Sequence, residues 1–182
     1  MTPAQLFWTI DEIAAATDGQ PHSDAAANIT ANITANITAN ISATSITGIS
    51  IDSRDTKPGD LFVALPGTTS DGHKFLPAAL AAGASAALVT QIDSAVALPQ
   101  ICVSDCLQAL RQLALAGRQR FQGIEFGITG SVGKTGSKDM LWQALSQFGS
   151  CHASQRSFNN HIGVPVTLAS LPEHANFAVQ EM

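Results

Sequence analysis

Positions 127–140, GITGSVGKTGSKDM, gather the residue types that hold a phosphate. Glycines let backbone N–H groups approach an anion closely, and a helix that begins just after them points its positive end at the same anion. In such a frame Lys134 reaches the β- and γ-phosphates as a point charge, and the Thr135 hydroxyl is a ligand for Mg²⁺. The standard phosphate loop places its first glycine five residues before the Gly-Lys pair. Ile128 occupies that position here, with glycines at 127 and 130 instead, so the match is partial. The plainer alternative is a glycine turn followed by a helix whose first-turn lysine is merely solvated.

A second candidate lies at 177–182, FAVQEM, which reads as a strand carrying Glu181 at its end. Mg²⁺ bound to phosphates takes only one or two carboxylates. Side chains at the carboxyl ends of strands in open α/β sheets reach the ligand crevice. Glu181 therefore has two open readings, a metal ligand or an ordinary strand-end carboxylate.

These groups need strands and helices to position them. Ile124, Phe126 and Ile128 stand at strand spacing before the glycine loop, and Met140, Leu141, Ala144, Leu145 and Phe148 mark a helix after it, ended by Gly149. Upstream, ITGISIDS alternates like a strand, KPGD is a turn and LFVAL is a short buried strand. DGHKFLPAALAAG reads as a helix with Pro77 early and Gly83 near its end, and AALVT and QICV follow as strands. Asp105 caps a helix with Leu107, Leu110, Leu113 and Ala114 on one face, which runs out near Arg120. Alternating strands and helices predict an α/β domain over 1–122 and the start of a second α/β unit over 123–182. A parallel sheet needs more covering elements than the second stretch supplies, so that domain is expected to be incomplete in this chain.

Composition limits the partners. Of 182 residues, 45% are apolar and 13% charged, which fits a globular chain rather than a disordered one. Nine Lys and Arg against fourteen Asp and Glu give a net charge of −5, and the clustered basic residues that bind a nucleic-acid backbone are missing. The opening MTPAQLFWTIDEIAAATDG has no basic region and is broken by Asp11 and Glu12, so neither a signal peptide nor membrane insertion is expected. Cys102, Cys106 and Cys151 lack metal-ligand spacing and read as small thiols in a reducing cytoplasm. The four-residue repeat ANITANITANITANIS at 27–42 is expected to be a tolerated insertion. Its Asn-x-Ser/Thr units at Asn28, Asn32, Asn36 and Asn40 are set aside as glycosylation sites for want of a signal peptide.

Taken together, GSVGKTGSKDM, SFNNHIGVP and FAVQEM, in that order, resemble the start of the ATPase domain of the Mur ligases, which build the peptide of bacterial cell-wall precursors. The run at 51–89, IDSRDTKPGDLFVALPGTTSDGHKFLPAALAAGASAALV, resembles the same family's N-terminal UDP-substrate domain. The likeness covers about residues 46–182 and departs from the family at Gly136, commonly Thr or Ser, and in the ANIT repeat. SFNNHIGVP and KDM are most similar to the members that add D-alanyl-D-alanine.

The resemblance implies a UDP-substrate-binding α/β domain followed by the start of a phosphate-loop ATPase domain with a mainly parallel sheet. It implies that the shortened loop Gly130, Ser131, Val132, Gly133, Lys134 and Thr135, with Gly136, binds ATP, with Lys134 catalytic. Thr135 and Glu181 would hold Mg²⁺. Asn159 and Asn160 resemble asparagines near the junction of ATP and substrate, with loop capping as the plain alternative. Ile51, Ser53, Thr68, Thr69 and Ser70 resemble positions that hold the UDP part. Arg54 is open between a phosphate, Asp52 and Asp55, and His73 is read as a helix-start residue.

The implied reaction is ATP-driven amide formation through an acyl phosphate. It would join UDP-N-acetylmuramoyl-tripeptide and D-alanyl-D-alanine, in a cytoplasmic monomer. The alternatives are another Mur ligase adding a different amino acid, a non-catalytic UDP-sugar or nucleotide-binding module, and an unrelated phosphate-loop kinase or ATPase.

Overall fold

A computed structural model describes residues 8–22, 44–67, 70–154 and 160–182. The ANIT repeat, Thr68, Thr69 and Asn159 lie outside the described residues. The chain divides into two compact units, Phe7–Gln112 and a second that contains Leu113–Met182. The division falls inside a long helix, whereas the sequence patterns place a domain boundary further on, at residue 122.

In the first unit β1 (Trp8–Thr9) leads into α1 (Ile10–Thr17), followed by β2 (Gln20–His22). A reciprocal cap opens α1: Thr9 Oγ1 accepts from the Glu12 N–H at 3.2 Å, and a Glu12 carboxylate oxygen accepts from the Thr9 N–H at 2.7 Å. The remaining elements are β3 (Ser45–Ile46), β4 (Gly48–Ser50), β5 (Asp60–Val63), α2 (Leu76–Ala81), β6 (Ala86–Val89), β7 (Gln100–Cys102) and the first part, to Gln112, of α3 (Cys106–Arg120). A five-stranded sheet runs β2-β7-β6-β5-β4, parallel from β4 to β7 and closed at one edge by antiparallel β2. Every residue of β5 and β6 is buried, which is why both read as unbroken runs, DLFV and AALV, rather than as alternation. Phe62, Leu76, Ala79, Ala87 and Val89 pack into one apolar cluster between the sheet and α2.

ITGISIDS is not one strand. Ser45–Ile46 pairs antiparallel with Trp8–Thr9, while Gly48–Ser50 forms the parallel edge beside β5. The chain changes partners at Thr47, whose N–H donates to the Gly59 carbonyl at 2.9 Å.

The second unit holds β8 (Ile124–Ile128), α4 (Lys134–Leu145), β9 (Cys151–Ala153), α5 (Gly163–Ala169) and β10 (Phe177–Glu181). Its sheet is parallel throughout in the order β8-β10-β9, so the strand latest in sequence is the central one. Phe121, Leu171, Ala175 and Ala178 make a small core. The apolar residues that mark α4 in the sequence largely face solvent, Met140 at 68% and Phe148, just beyond the helix, at 81% exposure. Among the described residues no helix is long and apolar enough to cross a membrane.

Candidate functional site

β8 ends at Ile128 and the glycine loop carries the chain into α4. Gly133, the residue before the helix, has φ 79° and ψ 0°, a left-handed conformation that glycine adopts without steric cost. Lys134 opens the helix and its Nζ donates back to the Gly130 carbonyl at 2.8 Å, so the ammonium folds over its own loop. Ser131, Val132, Gly133 and Gly136 are exposed, and a Cβ at Gly133 or Gly136 would meet nothing within 4 Å. The loop thus offers backbone and lysine to an open space.

Thr135, in the first turn of α4, donates its hydroxyl to a Glu181 carboxylate oxygen at 3.0 Å across 46 residues of sequence. Glu181 is 2% exposed and ends the central strand, where the parallel order brings it to the edge that bears the glycine loop. A carboxylate and a hydroxyl are hard oxygen donors, the set that Mg²⁺ uses while keeping waters and phosphate oxygens for its other positions. Among the described residues no three His, Cys, Asp or Glu side chains gather to hold a metal by themselves. The donor set therefore suits an ion that arrives with phosphate, and suits a self-sufficient metal centre poorly.

Lys138, one turn further along α4, escaped the sequence reading as a functional position. It is 3% exposed, its Nζ donates to the Ser154 carbonyl at 2.9 Å and lies 3.3 Å from an Asp139 carboxylate oxygen. The ammonium fastens the carboxyl end of β9 to the helix that follows the glycine loop. Its sequence signals are its place in the KDM run and a spacing of three from Thr135, which puts both side chains on one helix face. Asn160 accepts from the N–H groups of Ile162 and Gly163 at 3.0 and 2.7 Å, so in this structure it caps the first turn of α5.

In the first unit, Ile51, Ser53 and Arg54 lie in the turn after β4, and Ser70 lies in the turn after β5. These strands are parallel neighbours, so both turns stand at the carboxyl edge of the sheet. Ser50 and Thr56 hydroxyls meet at 2.8 Å, and each donates to the Asp52 carbonyl, at 2.9 and 3.0 Å, which fixes the first turn. Of the three partners open to Arg54, the structure shows Asp52, whose carboxylate accepts from Nε at 2.9 Å. That pair is 87% exposed on the arginine side, so it holds the guanidinium weakly and leaves it within reach of an anionic ligand. The three cysteines are unpaired thiols, and burial pushes Cys106 up to about 12, which makes it unreactive.

Comparison with known proteins fits this geometry. Residues 45–118 match the model of the Mur ligase family catalytic domain, and residues 128–182 match the Mur ligase middle domain. The UDP-N-acetylmuramoyl-tripeptide–D-alanyl-D-alanine ligase of Synechocystis is 45% identical over 141 residues, 75% of this chain and 31% of the relative. The ligase of the same name from Escherichia coli K12 is 40% identical over 139 residues, 76% of this chain and 30% of the relative. The chain thus spans less than a third of the length of these curated relatives.

Among solved structures, the D-alanyl-D-alanyl ligase of Acinetobacter baumannii superposes with a TM-score of 0.71 at 31% identity, covering 100% of this chain and 37% of that one. The MurF ligase of Thermotoga maritima in complex with ADP gives 0.57 at 29% identity, over 74% of this chain and 31% of that one. With both family models matched in order along the sequence, the chain belongs to the Mur ligase family.

Proposed function

We propose that this chain supplies the UDP-substrate and nucleotide sites of an ATP-dependent ligase that adds D-alanyl-D-alanine to UDP-N-acetylmuramoyl-tripeptide in the cytoplasm, acting as a monomer. The UDP site belongs to 1–122 and the nucleotide site to 123–182. The observation that carries the reading is the Thr135 hydroxyl on the buried Glu181 carboxylate at the mouth of the glycine loop. The names of the similar ligases and the ADP held by the Thermotoga relative support it.

A carboxylate is a poor electrophile. Transfer of the ATP γ-phosphoryl group to the tripeptide carboxylate releases ADP and gives an acyl phosphate. The free amine of D-alanyl-D-alanine attacks its carbonyl carbon, forming the amide and releasing inorganic phosphate and a proton. In this reading the N–H groups of 130–136 cradle the phosphates, and Lys134 leaves the Gly130 carbonyl to place its charge on the group in transfer. Thr135 and Glu181 would hold Mg²⁺, which supplies charge neutralisation on the phosphate oxygens when bound. At the other site Ile51, Ser53, Arg54 and Ser70, with Thr68 and Thr69, would take the uridine and diphosphate oxygens.

The test is Lys134→Ala in a chain extended to the length of the relatives. Turnover is expected to fall by a factor of about a thousand or more, with UDP-substrate binding retained. Near-normal ATP-dependent ligation by that variant would overturn the reading.

A further inference from the structure

We propose that His73 is a positioning residue for the UDP-binding edge of the first unit: its imidazole, held in one tautomer, ties the turn that carries Ser70 to the carboxyl end of β6. The proposal rests on the UDP reading given above.

The tautomer follows from the hydrogen bonds. Nε2 accepts from the Thr90 backbone N–H at 2.9 Å, so that nitrogen carries a lone pair and no proton. The ring proton then sits on Nδ1 and is donated to the Asp71 carboxylate at 2.6 Å. The same Asp71 oxygen accepts from the His73 N–H at 3.0 Å. That backbone bond, and after it the ring bond, holds the Asp71 carboxyl below the usual carboxylate range, so Asp71 stays an acceptor.

An Asp–His–Thr set invites comparison with a nucleophile triad, since the Thr90 hydroxyl is also 3.2 Å from Nε2. In a triad the lone pair on that nitrogen must be available to the hydroxyl proton. Here the Thr90 amide already occupies it at the shorter distance. The ring therefore works as a strut between two chain segments seventeen residues apart.

What the strut carries is the turn after β5. The Gly67 N–H donates to the Ser70 carbonyl and the Gly72 N–H to the Leu65 carbonyl, both at 3.0 Å, and Pro66 bridges to Asp71. A Cβ at Gly72 would lie 2.6 Å from the Leu65 carbonyl oxygen, so the returning chain is pressed onto the end of β5. Ser70 precedes Asp71 directly, and Thr90 follows β6, the parallel neighbour of β5. Asp71 and His73 thus join the turn at the end of one central strand to the end of the next. The Ser70 hydroxyl, next to the anchored Asp71, loses little freedom on meeting a ligand, which is how preorganisation raises affinity.

The experiment is calorimetric titration of the 182-residue chain with UDP, comparing the unaltered chain with His73→Ala and His73→Gln. It is joined to a nitrogen-15 spectrum that assigns the protonated ring nitrogen of His73. Loss of the strut in His73→Ala is expected to weaken UDP binding about tenfold, and His73→Gln, whose amide offers one donor and one acceptor, is expected to stay within about threefold. The spectrum is expected to show the proton on Nδ1. Binding by His73→Ala within twofold of the unaltered chain overturns the proposal. So does a proton on Nε2, or an equal loss in both variants that tracks their thermal midpoints. Absence of UDP binding by the unaltered chain locates the failure in the UDP reading itself, and the positioning role falls with it.

Discussion

Phe62, Leu88 and Ile101 in the first unit and Gln180 and Glu181 in the second occupy the same kind of place, the buried length of a parallel sheet, with opposite chemistry. The first unit fills its sheet with side chains whose removal from water stabilises it at roughly 25 cal/mol per Å² of apolar area. In the second unit Lys138, Ser154, Thr167, Gln180 and Glu181 are buried beside a smaller apolar set that includes Phe121, Val166, Leu171 and Val179, while Met140 and Phe148 face solvent; the first unit also buries polar groups, Asp60 and Gln100 within its sheet. Buried polar groups cost stability unless they are hydrogen-bonded, and Ser154 Oγ, Gln180 Oε1 and His152 Nε2 have no partner among the described residues. The difference teaches that one unit is a scaffold held by apolar packing. The other combines a smaller apolar core with buried polar groups, Lys138, Gln180 and Glu181 among them.

Each unit holds one of the two tryptophans, Trp8 in the first and Trp142 in the second, so denaturation can be followed separately in Trp142→Phe and Trp8→Phe backgrounds. Phe62→Ala is expected to cost the first unit about 3–5 kcal/mol in urea unfolding read at Trp8. A cost under 1 kcal/mol would break the contrast at its stronger end.

In the second unit acid is expected to act through His152. Burial lowers His152 from 6.5 to about 4 in the folded chain. The unfolded chain therefore takes up the proton first as pH falls, and the stability present above 6.5 is lost progressively until about pH 4. The His152 contribution to that loss is roughly 3 kcal/mol, read at Trp142, and is absent in His152→Asn. A decline of the same size in the variant would assign the acid sensitivity to other groups.

Lys138→Ala removes the buried ammonium from the Ser154 carbonyl and is expected to destabilise the second unit by about 2 kcal/mol with the first unit unchanged. Gly136→Ala adds a methyl where nothing stands within 4 Å, in a helix, and is expected to raise stability by about 0.5–1 kcal/mol. Phe148→Ser, at a side chain already in water, is expected to change stability by less than about 0.5 kcal/mol. If Phe148→Ser instead cost as much as Phe62→Ala, Phe148 would belong to an apolar core, whereas the structure places it outside that of Phe121, Leu171, Ala175 and Ala178.

Local chemistry was legible in the sequence where one segment decides the outcome. The glycine loop, the strand at Ile124, Phe126 and Ile128, the buried run LFV and the helix to Arg120 all carry their own period or turn residues. α1 is legible too, since Thr9 and Glu12 spell a reciprocal cap. β9 was not, because three residues, CHA, have no period, and α5 was not, because Pro165 reads as a breaker although the first helical turn tolerates it.

The site was half legible. Residue types proposed Thr135 and Glu181 separately, but only the pairing of β8 with β10 puts them 3.0 Å apart. Lys138 reads as a solvated helix lysine until β9 is seen in front of it. The apolar spacing of Met140 and Phe148 announced a helix and gave no information on whether anything covers it.

The place of β10 between β8 and β9 has a consequence for how the polypeptide is made. β8 and β9 are not hydrogen-bonded to each other, and the segment that joins both to one sheet leaves the ribosome after both. During vectorial synthesis, β4 to β7 can pair in the order in which they emerge, each beside its predecessor. Ile124–Ile128 and Cys151–Ala153 must wait with open edges until Phe177–Glu181 arrives, a non-local closure of the kind that slows folding and exposes strands to wrong partners. The same five residues that join the three strands bring Glu181 to Thr135, so the nascent chain gains that buried hydrogen bond only when its last-made strand of the three has paired.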